Sequence, residues 1–260
     1  MKRLALLLLL GIPGAVAATS GVDWEMLPFE PNSHDKPSLQ RGVRLYTDYC
    51  MGCHSLRFQR YERTADDLEI PHEIFTEQIV PSGARIGDLM ETAMPARSKN
   101  WFGAAPPDLT MVAKVRGTEW LYNYLKTFYL DESRPTGVNN KVFPNVGMPH
   151  ALFELQGIQR EVCTQVSRTA DDGGQMRDPL VPQKAITGER CGQLEVVEGT
   201  GRYTAVEYDE AVYDIVNFLY YVAEPTRMER YRLGVYVLLF LVVLFVLTSL
   251  LGREYAKEFH

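Results

Sequence analysis

Five consecutive residues, Cys50-Met51-Gly52-Cys53-His54, carry the most specific chemistry in this chain. The pattern C-x-x-C-H is the attachment signature of a c-type haem. Two thiols add across the haem vinyl groups, and the adjacent imidazole becomes the proximal ligand of the iron. The spacing has a mechanical reason. One helical turn brings both cysteines to the same haem edge, and the next residue swings its nitrogen under the metal. Such a group moves electrons, so the second iron ligand is the next question.

A filled sixth site blocks oxygen and keeps reorganisation small. The chain offers nine methionines for it. Met1 is lost with a leader, Met51 points away inside the motif, and Met228 stands at a membrane edge. Met26 precedes the haem helix, Met90 and Met111 have packing neighbours, and Met176 lies in a polar stretch. Met94-Pro95 and Met148-Pro149 are left, both in loops that the proline stiffens. Met148 follows Gly147 and falls between the middle and final helices, which favours it over Met94. His150 and His72 are the rival nitrogens. Thioether ligation would raise the reduction potential and suit an acceptor late in a chain.

The elements that position these groups can be read in order. Gly21–Pro37 should lie extended, and Ser38 should cap a helix over Leu39–Tyr49 that runs into the motif. A helix feeding C-x-x-C-H near the N-terminus is the class I cytochrome arrangement. In Gly103–Leu109, Asp108 should cap the following helix, and Thr118–Tyr129 reads as an amphipathic helix rich in aromatics. Residues 131–160 are loop-rich and 161–205 read as a polar insertion. Tyr208–Ala223 regains helical periodicity, stops at Pro225 and should cross the first helix. The expected fold is mainly α: a class I cytochrome c-like haem domain with long loops and an insertion, plus one C-terminal transmembrane helix.

Met1–Ala18 reads as a secretory signal, with Lys2 and Arg3, the apolar run Leu4–Leu10 and small residues at Ala15–Ala18. The haem domain then spans 19–226, an anchor 230–252 and a tail 253–260. Leu233–Leu251 is nineteen residues without a charge, about 29 Å of helix against a bilayer core of about 30 Å. Export places the haem domain in the periplasm and the C-terminus in the cytoplasm. The flanking charges do not add to this, since Arg227, Arg230 and Arg232 lie outside against Arg253 and Lys257 inside. The formal charge of −6 argues against nucleic acid and favours a basic partner. Six acids between Glu62 and Glu77 face one base, Arg63, and form either a solvated face or a steering surface. Nothing in the chain has the paired C-x-x-C…C-x-x-C spacing of a zinc site.

Several blocks together resemble the cytochrome c1 family of quinol–cytochrome c reductase (cytochrome bc1) complexes, bacterial type. They are Cys50–His54, the Pro106-Pro107-Asp108-Leu109 segment, Pro135-Thr136-Gly137-Val138, Gly147-Met148-Pro149, Tyr221-Val222-Ala223-Glu224-Pro225 and the final span. The resemblance implies one haem c on Cys50 and Cys53, with His54 and Met148 as axial ligands. It implies that Arg116 pairs with a haem propionate, for which a bidentate guanidinium is well suited. Pro106 and Tyr122 would line the haem. A Cys163–Cys191 disulfide is implied as well, permitted by an oxidising compartment.

The implied function is electron transfer from a Rieske iron–sulfur protein, beside cytochrome b, to a soluble or anchored cytochrome c, within a dimeric complex. No residue offers a quinol site or general base, so bond-making chemistry would belong to other subunits. The alternative is a membrane-anchored cytochrome c of another respiratory complex, such as a terminal oxidase.

Overall fold

The structure, a computed structural model, describes residues 24–167, 177, 180 and 187–258. The leader expected at 1–18 lies outside these residues, as does part of the 161–205 segment.

Two helices form the frame. Helix α1 covers Lys36–Tyr49 and ends at the haem motif, with Cys50 as its C-cap. Its N-cap is Asp35 rather than Ser38, because the Asp35 carboxylate takes the Ser38 backbone N–H at 3.1 Å. Pro37 fits the first turn, where an N–H would have no partner. Ser38 itself is buried, and its hydroxyl accepts from Asn217 Nδ2 at 3.0 Å.

Between the motif and the next large helix the chain is built from short pieces. Strand β1 (Leu56–Arg60) pairs antiparallel with β2 (Leu89–Met90) around α2 (Tyr61–Asp67) and α3 (His72–Gln78). A 3-10 turn (Ala96–Ser98) leads into α4 (Lys99–Phe102) and then α5 (Val112–Val115). Asp108 caps neither. Its two oxygens take the N–H groups of Arg57 at 2.8 Å and Thr110 at 3.0 Å, which ties the Pro-Pro-Asp-Leu loop to β1.

Helix α6 covers Thr118–Lys126, shorter than its periodicity suggests. Phe128–Leu130 becomes strand β3 instead and pairs with β4 (Val138–Asn140). After α7 (Phe153–Gln156), the expected insertion is a long hairpin of β5 (Gln159–Ser167) and β6 (Thr187–Val196). Cys163 and Cys191 face each other across it and are joined by a disulfide. Closing a loop of that separation, 28 residues, restricts the unfolded chain by about 3–4 kcal/mol. The Gln156 and Gln159 amides pin the hairpin's base to α6, each donating to the Lys126 carbonyl at 3.0 Å.

Helix α8 (Ala205–Ala223) starts with a capping box in which Thr204 and Glu207 satisfy each other's backbone N–H. It crosses α1 at Gly42, where a Cβ would fall 2.7 Å from the Cβ of Phe218 and closer still to the Asp214 carbonyl. Arg41 seals the crossing with a two-pronged bond to Asp214, 2.6 Å from Nε and 2.9 Å from Nη2. Val43, Tyr46, Ile215 and Phe218 are fully buried around it. The N-terminal strap is held by two buried asparagines. Asn123 exchanges both amide bonds with the Leu27 backbone, and Asn217 does the same with Asn32.

Helix α9 (Arg227–Glu258) follows a break at Glu224–Thr226. Its Glu229–Lys257 part is long and apolar enough to cross a membrane, and its side chains are exposed.

Candidate functional site

The motif closes as one tight turn at the end of α1. The Cys53 and His54 N–H groups both reach the Cys50 carbonyl, at 3.1 and 2.9 Å. Cys50 and Cys53 are not joined to each other, so two free thiols stand one turn apart. Met51 between them turns inward, 5% exposed, and takes the Tyr61 hydroxyl on its sulfur at 3.5 Å.

His54 is held at two points. Its carbonyl accepts from the buried Tyr46 hydroxyl at 2.7 Å, and its ring Nδ1 meets the Pro107 carbonyl at 2.7 Å. A carbonyl can only accept, so Nδ1 carries the hydrogen and Nε2 presents a lone pair. Burial pushes the His54 pKa down, which keeps the ring neutral and able to bind a metal. The donor set therefore fits a c-type haem: two unpaired thiols at the attachment spacing and an imidazole oriented through its far nitrogen.

A cavity of about 120 Å³ opens beside Cys53, lined also by Met94, Pro95, Pro106 and Asp108. The buried Ser98 hydroxyl on this wall has no partner. The Met94 segment is fastened on the motif side, where Thr92 donates to the Gly52 carbonyl at 2.9 Å and takes the Met94 N–H at 3.1 Å.

Met148 is not on that wall. It belongs to the segment after β4, and its sulfur accepts a hydrogen bond from the Tyr124 hydroxyl at 3.3 Å. Gly147 passes so close to α4 that a Cβ would come 2.5 Å from the Phe102 carbonyl. Two residues beyond Met148, the His150 ring stacks on Phe128 at 4.9 Å, with Nε2 buried and unpartnered. Burial pushes His150 down to about 4. His72 lies instead on the surface, its Nε2 2.7 Å from Asp66.

Arg116 is exposed and lies over the rings of Trp120 at 5.1 Å and Phe143 at 5.9 Å. Among the described residues no carboxylate pairs with it, so its guanidinium is free for an anion. Tyr122 goes elsewhere. Its ring packs on Phe29 at 5.3 Å and its hydroxyl takes Lys126 Nζ at 3.4 Å. Residues two apart on a helix point to nearly opposite sides, which puts Tyr124, not Tyr122, against Met148. Tyr124 carries no motif of its own; its spacing of four from Trp120, with which it stacks at 4.9 Å, is the signal that could have found it.

Half of the acidic run is engaged in ion pairs at the surface. Asp66 holds His72, Asp67 holds Arg63 at 2.6 Å, and Glu69 pairs with Lys36.

The Cytochrome C1 family model matches residues 28–259. The chain belongs to the cytochrome c1 family. A cytochrome c1 from Allochromatium vinosum is 42% identical over the whole of both chains. A protein of Nitrosomonas europaea named ammonia monooxygenase gamma subunit is 36% identical, over 98% of this chain and 97% of its own. A Bradyrhizobium diazoefficiens protein named cytochrome b/c1 is 25% identical over 80% of this chain and 31% of its own length. A covalently bound haem c and a class I c-type fold go with membership of the cytochrome c1 family.

Proposed function

We propose that this chain is the haem-bearing, membrane-anchored electron-transfer subunit of a cytochrome bc1 complex. It accepts electrons from a Rieske iron–sulfur protein and passes them to a soluble or anchored cytochrome c. The observation that carries this reading is the attachment turn, with its imidazole fixed through Nδ1, on a chain of the cytochrome c1 family that ends in a spanning helix. The relative named cytochrome b/c1 supports cytochrome b as a neighbour, and a dimeric complex belongs to the same proposal.

The bound haem c supplies a one-electron centre; the chain binds, orients and shields it. When the haem is bound, Cys50 and Cys53 would carry its thioether bonds and His54 and Met148 would hold its iron. Met148 would hold the iron in preference to Met94 because the Met94 segment is fastened to the motif itself through Thr92 and Gly52, whereas Met148 stands on a separate segment after β4. Arg116 is assigned to a propionate and Pro106 to the haem wall. The signal at 1–18, a periplasmic domain over 19–226, an anchor at 230–252 in the bacterial inner membrane and a cytoplasmic tail at 253–260 complete the proposal.

The test is the subunit composition of the gently solubilised protein, stained for haem. The haem-stained band should co-migrate with cytochrome b and be reduced by quinol. A haem band free of cytochrome b overturns the reading. The relative named ammonia monooxygenase gamma subunit favours a second one, membership of a monooxygenase assembly, and co-migration with such subunits would select it.

A further inference from the structure

Tyr124 holds the segment carrying Met148 at both ends. At the segment's root, the Tyr124 carbonyl accepts from Asn140 Nδ2 at 2.7 Å. Asn140 is 1% exposed, and its Oδ1 takes the N–H groups of Val142 at 2.9 Å and Phe143 at 3.0 Å. One side-chain amide thus joins α6 to the start of the loop. At the tip, the Tyr124 hydroxyl donates to the Met148 sulfur. The Tyr124 ring is fixed between Trp120 and Phe128, with centroids at 4.9 and 5.1 Å, so the hydroxyl keeps its aim.

A thioether sulfur has two lone pairs. A hydroxyl bonded to one leaves the other for a metal and draws electron density from the sulfur. A poorer donor stabilises ferric iron less than ferrous iron, which raises the reduction potential. We infer that Tyr124 and Asn140 are positioning residues that set the place and the donor strength of the Met148 thioether. This rests on the assignment of Met148 above.

The test uses the full chain, haem attached, in solubilised membranes. Tyr124→Phe keeps the ring and removes the donor. Its midpoint potential should fall, with the methionine–iron charge-transfer absorption retained but shifted. Asn140→Ala slackens the loop root, so added imidazole should displace the sixth ligand at about tenfold lower concentration, the weight of one buried hydrogen bond. A parental potential in Tyr124→Phe overturns the inference, as does a parental imidazole affinity in Asn140→Ala. Should Asn140→Ala fail to accumulate with haem, Tyr124→Phe decides alone. Met148→Leu separates the two layers. Survival of the charge-transfer absorption there means that the ligand assignment has failed. Its loss there, beside a parental potential in Tyr124→Phe, leaves the assignment standing and the inference refuted.

Discussion

The two sides of the proposed haem site are built by different means. The His54 side hangs from the α1–α8 crossing, where glycine lets two backbones touch and the surroundings are large apolar side chains. The Met148 side hangs from side-chain amides: Asn139 and Asn140 accept the loop's N–H groups, and Arg134 donates to Asn145. Apolar contact is dense and non-directional, so the first side fixes stability. Hydrogen bonds are directional but worth little net, so the second side fixes geometry at small energetic weight.

Substitutions can break that contrast. The largest effect is expected from Gly42→Leu, which drives a side chain into the Asp214 carbonyl and the Phe218 Cβ. A loss of about 3 kcal/mol or more should appear in thermal unfolding; an unchanged melting temperature would mean that the crossing is not tight. Next is Asn139→Ala, which frees the N–H groups of Asn140 and Asn145 and removes the side-chain amide that donates to Asp131. It should cost about 1–2 kcal/mol and also move the reduction potential. A stability change with the potential untouched would erase the distinction between the two sides.

Tyr46→Phe tests the converse. It removes the buried hydroxyl from the His54 carbonyl and should lower stability by about 1 kcal/mol. Because Nδ1 keeps its own bond to Pro107, the potential should stay near the parental value; a large shift would show that the hydroxyl orients the ring.

The smallest effect concerns acid. Lys114, then Arg230, holds the Glu224 carboxylate below its ordinary pKa of 4.5. A depressed folded pKa adds stability that is present above the unfolded value and fades as pH falls through the folded one. Lys114→Met relieves the depression, so the variant should lose less stability than the parent on acidification below about pH 4.5. Parallel melting curves for the two proteins across that range would remove Lys114 from the junction's energetics.

The same contrast explains what the sequence disclosed. The attachment turn, the last domain helix and the apolar span were readable because each is local: a fixed spacing, a 3.6-residue period, a charge-free run. The start of α1 was misplaced by three residues because Asp35 and Ser38 are both good caps, and only burial of Ser38 decides between them. The end of α6 was overrun because β3 owes its existence to pairing with β4, a partner some ten residues on. Tyr124 goes unmarked because a sequence does not say which side of a short helix meets a distant loop. The polar stretch after residue 160 read as an insertion, and its hairpin depends on pairing across a long gap. Amide-built geometry leaves little periodic trace, and the Met148 side was the less legible for that reason.

The junction between α8 and α9 has a mechanical consequence. Glu224 is bonded to Lys114 and to Arg230, while Arg227 lies between the rings of Tyr220 and Tyr231, which bridges both helices. A joint braced on two sides transmits displacement instead of absorbing it. Helix α8 runs on from the crossing at Asp214 and Phe218 to Ala223, about 8–14 Å at ~1.5 Å per residue, and that stretch works as a spacer of fixed length between the crossing and the start of the anchor. Adding one turn of about 5.4 Å near its C-terminus would lift the whole domain off the anchor by that distance, and the reach of an electron leaving the site would lengthen with it.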